Sequence, residues 1–322
     1  MKKILIFLLL IIITLNKSFA CLNGETKRLK DGTFLYEDHD GYVPYGHNFS
    51  NEDNFVAGIT QLGDLYNKTK DLDYLSDKGL LLILLKRYDE AIKLYLEIEK
   101  LQPNRYSTAS NIGTAYELIG QNENALKWIK KSVEIAAYAH KGSEWIHVKI
   151  LEAKIKGEAY CTTLFLLNLD FGNAMLPKSS LDQDALRNLQ KQLFYQLNER
   201  ISFVKPKDKI VAQLLFDLGN ISFLVGDFDD AKGNYNQAKE YGFMSQIIEG
   251  RIKEAEIQII KIEKEQEKPS EISASNTKSV AKSVPKKSEE KVVFSSYLLY
   301  CVIGLVLSII VILGLRQFKR KK

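Results

Sequence analysis

Cysteine, proline and charge of one sign are all scarce in this 322-residue chain, and each scarcity excludes something. The three cysteines, Cys21, Cys161 and Cys301, cannot form a disulfide framework. Cys301 lies inside an apolar run, so only Cys21 and Cys161 could pair, and Cys161 is expected to be buried and free. The formal net charge is +5, and many of the basic residues sit near the carboxyl end. The middle of the chain therefore lacks the basic footprint that a nucleic-acid partner requires. Catalytic signatures are missing as well. None of the four histidines, His39, His47, His140 and His147, neighbours a Ser or Cys nucleophile motif, and no phosphate loop occurs. Asp170-Phe171-Gly172 is not a kinase signature, because no glycine-rich loop or catalytic-loop Asp precedes it. No enzyme activity, cofactor or metal is expected. His39 and His47, near Glu37, Asp38 and Asp40, are suitable ligand types for a divalent ion, but their spacing matches neither an EF-hand nor a familiar zinc site. His140 and His147 are read as structural.

Long apolar runs occur at the two ends. Lys2 and Lys3, the apolar Ile4 to Leu15 and the small-x-small Ser18-Phe19-Ala20 read as a signal peptide over residues 1–20. Cleavage there would expose Cys21. A lipid on Cys21 is an alternative to ordinary cleavage, although Ser18 stands where lipoprotein signals usually carry Leu. Residues 267–291, rich in Ser and Lys, read as a flexible linker. Residues 292–315 are uncharged and long enough to span a bilayer, and the basic residues 316–322 predict a cytoplasmic tail. The two signals agree. Together they place residues 21–291 outside the cytoplasm, on the periplasmic side in a Gram-negative cell.

Between these ends a 34-residue unit repeats. Gly79 is followed by Gly113, Ala91 by Ala125, Leu82 by Tyr116 and Tyr95 by Ile129. Each unit reads as two amphipathic helices around a short polar break. Gly in mid-helix costs about 1 kcal/mol against Ala, so its recurrence implies close approach of a partner helix. Ala91 and Ala125 would serve the same packing from the second helix. A later copy carries Gly219, Ala231, Tyr235 and Ala238 at matching offsets.

The pattern resembles the tetratricopeptide repeat (TPR). In that family's register Gly79 is the small residue of the first helix, Ala91 that of the second, Tyr95 the following aromatic and Pro103 the closing proline. The second unit has Ile129 and Ala137 in the last two places. The resemblance implies an all-α solenoid over residues 51–266, with clear repeats at about 72–105, 106–139 and 212–245. The interval between them leaves room for about two degenerate units. The resemblance also implies a groove lined by first helices that binds proteins or peptides. Groove-facing candidates are Ser76, Leu80 and Ile83, then Ser110, Asn111, Thr114 and Glu117, with Lys141 and Glu144 following. Asn111 and Lys141 fit two positions of the family's carboxylate clamp. Ser76, Leu80 and Trp145 occupy three others, so that specificity is not carried over.

The remaining segments complete the outline. Asp31-Gly32 between residues 26–30 and 33–37 predicts a hairpin within a loop-rich segment over 21–50. Residues 54–68 predict a helix capped by Asn51 or Asp53. Residues 162–169 are expected to be buried in the array. Pro206 should break the helix over 181–203. A last helix, 251–264, has Ile252, Ala255, Ile259 and Ile262 on one side and suits the polar outer face of a terminal repeat. The expected function is a membrane-anchored extracytoplasmic scaffold or assembly factor. A ligand-sensing domain acting through a membrane partner is the alternative.

Overall fold

The computed structural model describes residues 26–38 and 41–266. The signal peptide, Cys21, His39, the linker, the span with Cys301 and the basic tail lie outside the described residues. Among the described residues no helix is long and apolar enough to cross a membrane.

A small two-stranded sheet opens the fold. Strands β1 (Thr26–Arg28) and β2 (Phe34–Glu37) pair antiparallel. Their loop turns through Gly32 at φ 90°, whose N–H bonds Leu29 O at 2.9 Å. Helices follow: α1 (Glu52–Thr69), α2 (Leu72–Leu84), α3 (Tyr88–Leu101), α4 (Tyr106–Leu118) and α5 (Asn122–Ile135). Then come α6 (Glu144–Lys156), the five-residue α7 (Thr163–Leu167), α8 (Gln183–Phe203), α9 (Lys209–Leu224), α10 (Phe228–Glu240) and α11 (Ile247–Gln266). Local signals set the boundaries. Asn51 Oδ1 accepts from Asp53 N at 3.0 Å and starts α1, with Glu52 and Asp53 favourably placed in the first turn. Asp71, Asp182 and Asp208 cap α2, α8 and α9 in the same way.

Three helical hairpins, α2–α3, α4–α5 and α9–α10, are built alike. Each turn places one residue in the left-handed region: Lys86 at φ 59°, Gly120 at φ 79° and Gly226 at φ 88°. The next N–H then reaches back to the first helix, from Arg87 to Leu82 O at 2.8 Å, Gln121 to Tyr116 O at 2.9 Å and Asp227 to Ser222 O at 2.9 Å. The helix crossings are also equivalent. A Cβ on Gly79, Gly113 or Gly219 would sit 2.5 Å from Tyr95, Ile129 or Tyr235 respectively. Ala91, Ala125 and Ala231 are fully buried beside them.

Other parts depart from a uniform array. Between the second and third hairpins stand α6, the short α7 and the 21-residue α8, instead of two further hairpins. In α7, Leu166 and Leu167 are buried but Leu164 is exposed, because one turn offers only one side to the core. Cys161 is a free, partly exposed cysteine. In α11, Ala255 is buried and Ile262 exposed, while Arg251 is fully buried. Its Nη1 donates to Asn220 Oδ1 at 2.5 Å and its Nη2 to Gly172 O at 2.6 Å, so this helix inserts a charge into the core.

The segment after β2 does not stay with the hairpin. Phe49 bridges Tyr36, and Leu29, Leu35 and Tyr36 pack with Leu80 and Leu81 of α2. Between them residues 41–47 cross to α8 and α10. Gly46 N donates to Asn198 Oδ1 at 2.9 Å and His47 N to Ser202 Oγ at 2.8 Å. Tyr42 N donates to Asp230 Oδ2 at 3.2 Å, and Tyr42 O accepts from Asn234 Nδ2 at 3.0 Å. Gly46 is required on two counts: its φ is 83°, and a Cβ would meet Ser202 N at 3.0 Å.

Candidate functional site

Residues one turn apart on α4 share a face, and Ser110, Asn111, Thr114 and Glu117 line that face. Glu144 and His147 present a second polar edge from α6. In an open array both would meet solvent. Here α8 lies across them. Gln192 accepts from Trp145 Nε1 at 2.9 Å, Gln196 Nε2 donates to Ser143 Oγ at 3.0 Å, and Arg200 reaches Glu117. The result is a cavity of about 340 Å³ lined by α4, α6, α8 and the turn around His140.

Its floor is a buried ion cluster. Glu117 accepts from Arg200 Nη1 at 2.6 Å and Nη2 at 3.1 Å, and pairs with His147 Nε2 at 2.7 Å and Lys154 Nζ at 2.7 Å. Burial alone would raise the Glu117 pKa, but the cations of Arg200, His147 and Lys154 outweigh it and hold the carboxylate well below its usual range. Burial likewise opposes the His147 charge, and Glu117 overcomes it, so the imidazolium is favoured. Glu144 continues the chain. It pairs with His140 Nδ1, accepts from Tyr106 Oη at 3.2 Å, and keeps its Oε2 3.8 Å from His147 Nδ1. Burial again opposes ionisation, and His140 and His147 lower its pKa despite it.

Glu199 and Asp208 line the cavity too, so four carboxylates face Arg200, Lys154, His147 and His140. Glu144 Oε2 and Arg200 Nε are buried without a hydrogen-bond partner. Buried ion clusters seldom stabilise a fold relative to apolar packing, and unsatisfied polar atoms beside a cavity are atoms a ligand could satisfy.

Of the residues expected to face the groove, Ser110, Asn111, Thr114, Glu117 and Glu144 line this cavity. Lys141 does not; it is exposed at φ 59° in the turn before α6. Ser76, Leu80 and Ile83 are fully buried instead of facing a groove: the β-hairpin and α1 cover Leu80, Ile83 packs against Tyr95 and its neighbours in α3 and α4, and Ser76 O accepts from Tyr95 Oη. Asn111 also has a packing role, donating to Tyr95 Oη at 2.8 Å. Sequence reasoning missed Arg200, His147, Lys154, Gln196 and Glu199. The available signal was the polar row Gln192, Gln196, Glu199, Arg200, which runs directly beside the apolar stripe Leu189, Leu193 and Leu197 and so adjoins the buried face of the helix. His47 holds no metal geometry: Nδ1 pairs with Asp38 at 2.8 Å and Nε2 with Glu199 at 2.8 Å.

Residues 72–105 and 107–138 match the tetratricopeptide repeat family. No curated protein matches the chain. Solved structures with similar helical arrays include a thermophilic TPR protein of Thermus thermophilus, 13% identical with a TM-score of 0.33, the match covering 64% of this chain and 92% of that one. A tetratricopeptide repeat protein of Parabacteroides merdae is 12% identical, TM-score 0.33, over 64% of this chain and 93% of its own. The MamA protein is 19% identical, TM-score 0.27, over 69% and 100%.

Proposed function

We propose that the chain is a membrane-held extracytoplasmic scaffold or assembly factor whose helical array binds a partner protein or peptide. The observation that carries the binding role is the cavity beside the two repeats, with its charged lining and the Glu144 Oε2 and Arg200 Nε that lack hydrogen-bond partners. A partner group that brings an acceptor for Arg200 Nε and a donor for Glu144 satisfies both. The basic start and apolar run at residues 1–20, and the apolar run at 292–315 followed by a basic tail, support attachment to the bilayer with the array outside the cytoplasm. Crosslinking in intact membranes, followed by purification through a carboxyl-terminal tag, tests this. One defined complex, lost with Glu144→Gln while helicity is retained, supports the reading. Undiminished recovery with that variant removes the cavity from the binding surface.

The alternative, a ligand-sensing domain acting through a membrane partner, is favoured by one observation. Because α8 walls off the site, its volume of about 340 Å³ falls in the range of small-molecule pockets. Native mass spectrometry of the purified protein distinguishes the two, since a co-purifying small molecule lost in Glu144→Gln supports sensing.

A further inference from the structure

Residues 41–47 are held the way a protein holds a bound peptide. Hydrogen bonds from side chains of α8 and α10 reach backbone N–H and C=O groups of Tyr42, Gly46 and His47, and the His47 ring adds a side-chain anchor, its Nε2 on Glu199 and its Nδ1 on Asp38, both at 2.8 Å. Asp230 and Asn234 read the N–H and C=O of Tyr42, Asn198 reads the N–H of Gly46, and Ser202 that of His47. Backbone reading of this kind gives affinity without fixing sequence, and shaped slots then supply the selectivity. Two slots are present. The Tyr42 ring packs edge-on against Phe194 with centroids 5.5 Å apart. Val43 fills a notch left by Gly233 in mid-α10, where a Cβ would stand 2.7 Å from Val43 Cγ2. Gly233 costs its helix about 1 kcal/mol against Ala, so the notch is maintained against local preference. Pro44 is buried between these slots and Gly46, and keeps the segment extended.

The occupant also fits incompletely. Asn234 is fully buried, yet its Oδ1 has no donor. Tyr45, in the middle of the segment, is 62% exposed. Residues 41–46 are absent from the apolar cluster that fixes the hairpin, which uses Leu29, Leu35 and Tyr36 with Phe49 packed against it, whereas the His47 ring stacks on Tyr36 with centroids 3.9 Å apart and anchors the end of the segment. Residues 41–46 can therefore leave α8 and α10 while that cluster and the His47 anchor stay intact.

We propose that the α8–α10 face is a peptide-binding site, occupied in cis by Tyr42–Gly46, that takes an extended, uncharged segment of a partner protein: an aromatic residue, a β-branched residue, then a Pro and Gly. The site stands on these contacts alone and does not depend on the cavity beside α4, so either can fail without the other. Tethering in cis gives the native segment an effective concentration of order mM, which hides the site from weak competitors.

The test uses the full-length protein in detergent and a fluorescent peptide, Gly-Tyr-Val-Pro-Tyr-Gly, copied from residues 41–46. A strap variant, Tyr42→Ala with Val43→Asp, removes the occupants of the two slots and leaves every residue of α8 and α10 and the His47 anchor unchanged. By fluorescence anisotropy the peptide is expected to bind this variant at least ~10-fold more tightly than the wild type. Adding Gly233→Ala, which fills the notch with a better helix former, is expected to abolish that gain. Equal binding to wild type and strap variant, or a gain that survives Gly233→Ala, overturns the proposal. Hydrogen exchange on the wild type checks the same point without substitutions. The Tyr42 and Gly46 amides are expected to exchange faster than the buried amides of α3, and exchange only by global unfolding overturns it. Dimerisation of the strap variant by exchange of residues 41–47 between copies would make the occupant a second copy and overturn the partner assignment.

Discussion

Replacing Gly79 with Ala should destabilise the protein although Ala is the better helix former. A new Cβ would stand 2.5 Å from Tyr95 Cζ, 2.6 Å from Cε2 and 2.9 Å from Oη, about 1 Å inside normal contact. The ring cannot step aside cheaply. Tyr95 is fully buried, its Oη donates to Ser76 O at 2.8 Å, and it accepts from Asn111 Nδ2 at 2.8 Å. Helix propensity returns about 1 kcal/mol. Overpacking costs about 1–3 kcal/mol, and displacing the hydroxyl forfeits two hydrogen bonds of about 1 kcal/mol each. The net is a loss of about 2–4 kcal/mol, roughly 4–16 °C in Tm for a domain of this size. Gly63→Ala is the control. Its Cβ would meet only the flexible Lys78 Nζ at 3.4 Å, so it should stabilise by up to about 1 kcal/mol. Urea denaturation of the protein without residues 292–322, followed by circular dichroism, compares the two. Gly79→Ala with Tyr95→Leu should cost less than the sum of the single changes. If Gly79→Ala stabilised as Gly63→Ala does, close packing would not be the reason for the recurring glycines.

Lys86 occupies the left-handed position that Gly fills in the other two hairpins, and it is exposed, so Lys86→Gly should raise stability by about 1 kcal/mol in the same titration. Arg251→Met would leave the carbonyls of Gly172 and Ala174 without their donor and should lower stability by about 2–4 kcal/mol; an unchanged urea midpoint would refute the internal role of that guanidinium. Burial opposes the His47 charge, but Glu199 and Asp38 overcome it and raise its pKa to about 9. The imidazolium therefore contributes stability that is complete below pH 6.5, its usual pKa, and is lost as pH rises through 9, on the order of 3 kcal/mol in all. His47→Gln should flatten stability across that window, measured as Tm against pH.

Helix pairs were readable from sequence because their determinants are local or strictly periodic. Gly79, Gly113 and Gly219 recur at fixed offsets from Tyr95, Ile129 and Tyr235, and Asn51, Asp71 and Asp208 announce helix starts. What escaped is where single helices lie relative to the repeats. Nothing local to Arg200 says that its partner is Glu117, 83 residues earlier. Leu80 carries the spacing of a first helix, but whether its face is open depends on the hairpin at Leu35 and Tyr36. Arg251 looked like a solvated residue because its apolar neighbours in α11 form an ordinary stripe. Its burial depends on carbonyls at Gly172 and Ala174, which irregular backbone supplies and no periodicity marks.

The crossing of residues 41–47 to α10 has a kinetic consequence. Solenoids normally gain order by adding each unit to the one before, with short-range contacts throughout. Here Tyr42 finds Asp230 188 positions later in the chain, and Asn234 192 positions later. The segment made first therefore docks last, after nearly every helix has been synthesised. Closing so long a loop raises the contact order of an otherwise local topology, and it slows the final step instead of the first. It also joins the two ends of the array. A break near either end should be felt at the other, so this chain should unfold in one cooperative transition where an open stack would fray repeat by repeat.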